Sequence, residues 1–457
     1  MSSSPELVIS EEELRIIQEH IYGRYGEFPE VDVGDEIVQC TSGVLGSLQV
    51  ELFRLVMLTM CQRLIQLTCF PDLIKLLFII CCGVYALCDF VKNDHLFNIV
   101  LLFPAACLVY ILAAPLPKKG LFVTLFSMAL LISLEARYDA SETSAIRGIL
   151  MSLIMRLSSF AFDYENGIIP LTGTISYFAY LFNPAAIIFG PFCTFIDFVE
   201  TFRKNSFKRE LYVWIVSFVC IVLSLCSVLL SSCSSIFETE SMLINDYIGA
   251  FSFRTSHYFI CLFSQGLFWL TGGTGWVVHP MSVEAPRSVV DIVVAWNIPM
   301  HKYLKNYVYK PVGQLGHTSL AIGLTFLVSS LLHGLNIKLS LVLLSLGYLT
   351  WVESVLRYRL SNVLSACIRA RPCVDDCNHL RKYNNWFTRA ANGFFALLAV
   401  YHLIYLGMIF DGQDVEHDTF YAVFTKWSSH SFASVKIALV AHVTLLVVQQ
   451  LFPPSDS

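Results

Sequence analysis

The side chains best suited to chemistry are histidines embedded in apolar sequence. His333 follows Ser329-Ser330-Leu331-Leu332 and precedes Gly334; His402 stands in Val400-Tyr401-His402-Leu403, and His442 in a third apolar run. An imidazole can take up and return a proton near neutral pH. An ionisable side chain inside an apolar span is a functional hypothesis by default. The alternative is a hydrogen-bonded core histidine, and composition alone does not choose among the three. A second group, Cys373, Cys377 and His379, resembles part of a zinc site. It lacks a fourth ligand, for which Asp375 or Asp376 would be an unusual choice. Free or acylated cysteine in a cytosolic loop is the favoured reading there, and no catalytic metal is expected.

The stretch before His333 mixes apolar, aromatic and basic residues. It opens with Glu284-Ala285-Pro286-Arg287-Ser288 and continues through Trp296-Asn297-Ile298-Pro299-Met300 to Asn306-Tyr307-Val308-Tyr309-Lys310. One reading is an interfacial helix with snorkelling lysines. The other is a segment that approaches a ligand with an apolar tail and a charged head.

The elements that position these residues follow from lipid as the solvent. Of 457 residues, 56% are hydrophobic and 14% charged, and the mean hydropathy is +0.63. Soluble chains carry about 25% charged residues, so most of this chain faces hydrocarbon. An apolar helix of roughly 20 residues spans a bilayer. Twelve apolar runs between residues 50 and 451 predict an all-α, polytopic membrane protein of about ten or eleven full spans with re-entrant segments. Thr318 to Trp351 would be about 50 Å long as one helix, too long to cross without strong tilt. A break is therefore expected near Gly334, Asn336 and Lys338. Run 172–199, with Asn183, Pro184, Gly190 and Pro191, is expected to be a broken helix. It either borders a cavity or packs as a kinked helix.

The net charge is −5, and residues 1–39 hold ten acids against Arg15 and Arg24. That tail reads as a solvated or surface segment, with a short amphipathic helix at Glu11 to Ile17 and no signal-peptide pattern. Residues 40–451 form the membrane domain and 452–457 a short C-terminal tail. No basic tract suggests nucleic acid. Cysteines such as Cys82, Cys107 and Cys220 are expected to pack as small hydrophobes, not as a disulfide scaffold. Arg203, Lys204, Lys208 and Arg209, and the basic segment 357–389, place both regions in the cytosol. By parity the acidic connection at Asp411 to Asp418 faces the lumen.

Asn297, followed 36 positions later by His333, resembles the membrane-bound O-acyltransferase family, which has a polar residue and then an intramembrane histidine in this order. Pro286-Arg287-Ser288, Asn306-Tyr307-Val308, Phe189-Gly190-Pro191, Leu360 to Cys367 and Tyr401-His402-Leu403 are similar to a branch of that family that acylates Wnt proteins. The likeness runs, with gaps, from about residue 40 to 451 and leaves out the acidic tail. It implies transfer of a palmitoleoyl group from palmitoleoyl-CoA, a co-substrate, to a serine hydroxyl of Wnt proteins in the endoplasmic reticulum membrane, with no resident cofactor. No KDEL-type signal is present, so that location is inherited from the resemblance.

On this reading His333 is the general base. Asn297 donates to the developing oxyanion, or else fixes the imidazole or the thioester. Arg287 and Lys310 are choices for the CoA phosphates or else ordinary interfacial charges, and Trp296 and Tyr307 either line the acyl or pantetheine path or, the favoured alternative, pack in the bundle. Direct transfer is preferred to a cysteine intermediate. The rivals are a family member acting on a small lipid or another secreted protein, and a non-enzymatic membrane transporter or scaffold.

Overall fold

Hydrocarbon offers no partner for a backbone amide, so a lipid-solvated chain must close its hydrogen bonds within helices or a closed barrel, and apolar runs of helix-spanning length select helices here. The computed structural model describes residues 32–112, 118–170, 173–314, 316, 318–374, 376–410 and 420–453. Among them are helices and no named β-strand. The expected helix at Glu11 to Ile17 and the acidic connection at Asp411 to Asp418 lie outside the described residues.

The first half comprises α1 (Val33–Leu67), α2 (Asp72–Phe90), α3 (Asp94–Leu112), α4 (Lys119–Glu135) and α5 (Ala140–Glu165). Three short pieces follow, α6 (Thr174–Leu181), α7 (Pro184–Ile187) and α8 (Phe195–Glu200), then the long α9 (Phe207–Ser232) and α10 (Met242–Leu270). Next come α11 (Pro280–Glu284), α12 (Val289–Trp296) and α13 (Ile298–Leu304), which continues through a π turn (Lys305–Tyr309) and a last turn (Lys310–Gly313). The chain ends with α14 (Thr318–Leu332), α15 (Ile337–Val363), α16 (Trp386–Gly407), α17 (Phe420–Ser429) and α18 (Ala433–Leu451). Helix α1 starts at Val33, capped by the Asp32 carboxylate on Gly34 N–H at 3.1 Å. Residues 33–39, assigned to the tail from sequence, therefore belong to a helix.

Among the described residues, seven helices are long and apolar enough to cross a membrane: α1, α2, α3, α9, α15, α16 with its terminal turn, and α18. The expected ten or eleven included further helices that this criterion of length and apolarity does not select. Helices α5 and α10 have the length, 26 and 29 residues, but carry Arg156 and Arg254 buried inside the bundle. Helices α4 and α14, with 17 and 15 residues, fall short of the roughly 20 needed. Helix α9 shows the inside-out logic of lipid: Ser217, Cys220 and Ser224 face the protein, whereas Phe218 and Val222 are exposed.

Helices α9 and α10 run antiparallel. Ser217 Oγ donates to the Gly266 carbonyl at 2.7 Å, and Ser231 Oγ to that of Ser252 at 2.9 Å. The end of α16 meets the first half of α10, where Gly407 lies against Ala250 and Phe410 stacks on Phe253 with centroids 4.0 Å apart. Segment 364–385 precedes α16, whose 22 residues span about 33 Å. It therefore sits at the opposite end from Cys233, on the side of the basic loop 203–209. At the far end a disulfide joins Cys40 to Cys233, across 193 residues of sequence. The cysteine pattern gave no hint of that bridge, because only the fold brings the start of α1 to the end of α9. A disulfide on one side and basic loops on the other agree with a lumenal and a cytosolic face.

Run 172–199 is broken, as expected. Proline at 184 cannot continue α6, so the carbonyls of Tyr180 and Leu181 lack helical donors. The buried Arg156 guanidinium supplies them, with Nη1 at 3.1 and 2.8 Å. Tyr177, Tyr180, Leu181 and Phe182 are fully or almost fully buried, so the packing alternative describes this run. Phe192 meets Tyr303 edge-to-face at 5.3 Å and backs α13.

Candidate active site

Helix α14 stops at Leu332, and His333 is the next residue. The His333 N–H still reaches the Ser330 carbonyl at 3.1 Å and Gly334 N–H that of Leu331 at 3.0 Å. Gly334 then adopts φ +81°, a left-handed turn that favours glycine. A Cβ at this position would overlap the Glu135 carboxylate. That carboxylate accepts the Leu335 N–H and also the Arg147 Nε at 2.6 Å. Asn336 restarts the helix, its Oδ1 accepting Leu339 N–H at 2.8 Å. The break expected near Gly334, Asn336 and Lys338 is thus formed by one positive-φ glycine, one cap and one carboxylate from α4.

The intramembrane histidines differ in what they touch. His402 Nδ1 is 2.6 Å from Ser434 Oγ and buried. His442 Nδ1 is 2.7 Å from the Tyr348 hydroxyl. The ring nitrogens of His333, half-buried, make no hydrogen bond among the described residues. A further histidine, His257 on α10, was not singled out from sequence. Its Nε2 donates to the Trp296 carbonyl at 2.9 Å, and its ring stacks on the Trp296 indole with centroids 4.3 Å apart at 10°. A carbonyl only accepts, so this bond places the proton on Nε2. His257 lies close enough to His333 to act on it electrostatically, as does Arg147. The rule that flags ionisable residues in apolar runs could have found His257 within run 247–271. Glu135 and Arg147 carried no comparable signal.

Asn297 breaks the chain between α12 and α13. Ser288 caps α12 through Asp291 N–H at 3.3 Å. Asn297 Oδ1 caps α13 through Met300 N–H at 3.0 Å. The break is pinned from outside: Ile298 N–H donates to the Val277 carbonyl at 2.8 Å and His279 N–H to that of Ala295 at 3.0 Å. Val277 N–H in turn donates to Gln265 Oε1 on α10 at 2.7 Å. Because the cap requires an oxygen, the amide's NH₂ end points away from it, and this end has no partner among the described residues. Trp296, carrying His257, directly precedes Asn297. Helix α10 therefore ties the asparagine, through Trp296, to His257, the histidine that acts on His333.

The remaining sequence-derived residues have varied surroundings. Arg287 Nη2 donates to the Cys367 carbonyl at 3.1 Å and, with Nε, to that of Arg369, while its guanidinium lies 5.2 Å from the Tyr383 ring centre. Its bonds are to backbone, and only Nη1 is left over. Lys310 is exposed. The Tyr307 hydroxyl donates to the buried Asp163 carboxylate at 3.0 Å, and its ring stacks on Phe162. Cys373, Cys377 and His379 meet Cys367, the fourth donor that sequence reading found missing, with all four ligand atoms within 4.8 Å of one another. Asp375 lies outside the described residues.

Comparison with known proteins gives the family. The sequence profile of the membrane-bound O-acyltransferase family matches residues 121–374. The protein-serine O-palmitoleoyltransferase porcupine of Mus musculus is 31% identical over 421 residues, covering 83% of this chain and 90% of that protein. Its Homo sapiens counterpart is 29% identical, covering 84% and 91%. That of Caenorhabditis briggsae is 33% identical, covering 73% and 79%. With Asn297 and His333 both inside the matched region, this chain belongs to the membrane-bound O-acyltransferase family and is a multi-pass acyltransferase.

Proposed function

We propose that this chain transfers a palmitoleoyl group from palmitoleoyl-CoA to a serine hydroxyl of Wnt proteins at the endoplasmic reticulum membrane. The observation that carries this reading is the state of His333: a half-buried imidazole at a locked helix end, with neither ring nitrogen hydrogen-bonded among the described residues. A general base must keep a lone pair for its substrate. The relatives' names supply the acyl group and the serine.

In the proposed step the serine Oγ attacks the thioester carbonyl carbon while a His333 nitrogen accepts the hydroxyl proton. The C–S bond then breaks. The imidazolium returns its proton to the departing thiolate, giving CoA thiol and the serine ester. The free NH₂ end of Asn297 suits an oxyanion that forms in this step. Exposed Lys310 suits a phosphate of the acyl donor, and Arg287 retains one nitrogen for the same use. Trp296 and Tyr307 line the proposed acyl or pantetheine path.

The test is transfer from palmitoleoyl-CoA to a Wnt-derived serine peptide by enzyme purified in detergent, with a lysolipid as the competing acceptor. Ester formation on the peptide, lost in His333→Ala, supports the proposal. Transfer to the lysolipid alone, or full activity of His333→Ala, overturns it.

A further inference from the structure

We propose that Cys367, Cys373, Cys377 and His379 form a structural zinc site that holds segment 364–385 against the base of the asparagine-bearing region. Four donors of the zinc type converge on one point. Cys367 Sγ is 3.4 Å from Cys377 Sγ and 3.8 Å from His379 Nδ1, and Cys373 Sγ is 3.6 Å from His379 Nδ1. In a tetrahedral site with zinc–sulfur bonds of about 2.3 Å, neighbouring sulfurs lie roughly 3.8 Å apart. The three spacings given are close to that polyhedron, and all four donor atoms lie within 4.8 Å of one another.

The histidine tautomer gives independent support. Ser361 Oγ donates its only proton to the Ala366 carbonyl at 2.7 Å. The contact of 3.0 Å between Ser361 Oγ and His379 Nε2 must therefore be donated by the imidazole. The proton sits on Nε2, and the Nδ1 lone pair faces the three sulfurs. Zinc-binding histidines are oriented in this way by a partner on the far nitrogen. Around the thiolates, Lys382 Nζ lies 3.3 Å from Cys377 Sγ and also donates to the Cys377 carbonyl. A cation there offsets the excess negative charge of three thiolates on a divalent ion.

The surroundings explain what the metal would do. Cys367 is fully buried, and its carbonyl accepts from Arg287 Nη2 and from Asn392 Nδ2 at 3.1 Å each. Arg357, buried on α15, donates to the carbonyls of Ile368 at 2.7 Å and Arg287 at 2.9 Å. The cysteine loop and the start of α12 thus share one hydrogen-bonded unit, and α12 ends at Asn297. The loop lies on the side opposite the Cys40–Cys233 disulfide, where thiols stay reduced.

The experiment uses the full chain purified in detergent without chelator or a nickel column. Metal is counted by plasma mass spectrometry. About one zinc per chain is expected, falling several-fold in Cys373→Ser and His379→Ala but unchanged in Cys226→Ser, an exposed cysteine elsewhere. Zinc chelation should speed tryptic cleavage between Arg369 and Arg389 several-fold. Because the wild-type count needs no variant to fold, metal-free wild-type protein that is monodisperse overturns the proposal. So does a Cys367–Cys377 disulfide, or an acyl chain on Cys373, found by non-reducing mass spectrometry.

Discussion

The Glu135 carboxylate accepts the backbone N–H of Leu335, which lies two residues beyond His333 and 200 residues from Glu135 in sequence. Arg147 holds the other side of the carboxylate at 2.6 Å. The end of one helix thereby sets where the imidazole of another points. Removing the acceptor frees the Leu335 N–H and takes the carboxylate away from Arg147, so the turn after His333 loses its anchor. Glu135→Ala should lower kcat more than it raises KM for acyl-CoA, and Glu135→Gln, which keeps an acceptor oxygen, should recover part of the loss. Equal kcat in all three enzymes would dissociate this contact from catalysis. Gly334→Ala should be worse than either, because the turn has φ +81° and the added methyl overlaps the carboxylate.

His333 and His402 should separate cleanly. His333→Ala is expected to reduce transfer by roughly 10²–10⁴-fold while detergent-purified protein keeps its elution profile. His402→Ala removes a hydrogen bond to Ser434 and should lower the melting temperature with little change in transfer. The reverse pattern, measured with the same peptide, would reassign the base.

Asn297 has two jobs that one substitution can part. Asn297→Asp keeps an oxygen for Met300 N–H, so α13 stays capped, but removes the NH₂ donor. Transfer should fall by about 10²–10³-fold, as for loss of an oxyanion donor, with stability near wild type. Asn297→Ala should also lose the cap, worth about 1 kcal/mol. Full transfer by Asn297→Asp, read in single turnovers, would leave the residue a capping role only.

Tyr307→Phe strips the donor from the buried Asp163 carboxylate. A destabilisation of about 1–3 kcal/mol is expected, and Asp163→Asn with an intact Tyr307 should be milder. Thermal unfolding of the two variants checks the order.

Arg287 and Lys310 should not behave alike. Lys310→Glu is expected to raise KM for acyl-CoA several-fold at low salt and less at high salt. Arg287→Ala removes bonds to the Cys367 and Arg369 carbonyls and should lower stability first. Salt-insensitive KM in Lys310→Glu would remove that lysine from the donor site.

Composition and the length of the apolar runs were enough to determine that this chain is helical and lives in lipid, because a surface so poor in charge suits hydrocarbon and runs of roughly 20 apolar residues fit spanning helices, not the shorter strands of a barrel. The break after His333 was legible too, since 34 apolar residues exceed the thickness of hydrocarbon and glycine and asparagine mark where a helix can stop. Tertiary structure alone decided the rest. It buried Arg156 and Arg254 inside the bundle and supplied their partners. It paired Cys40 with Cys233 and brought Cys367 to Cys373, Cys377 and His379. It also satisfied His402 and left the ring of His333 without a partner. Local sequence reports what a residue could do; which donors and acceptors it meets depends on contacts between distant segments, and these exist only once the helices pack.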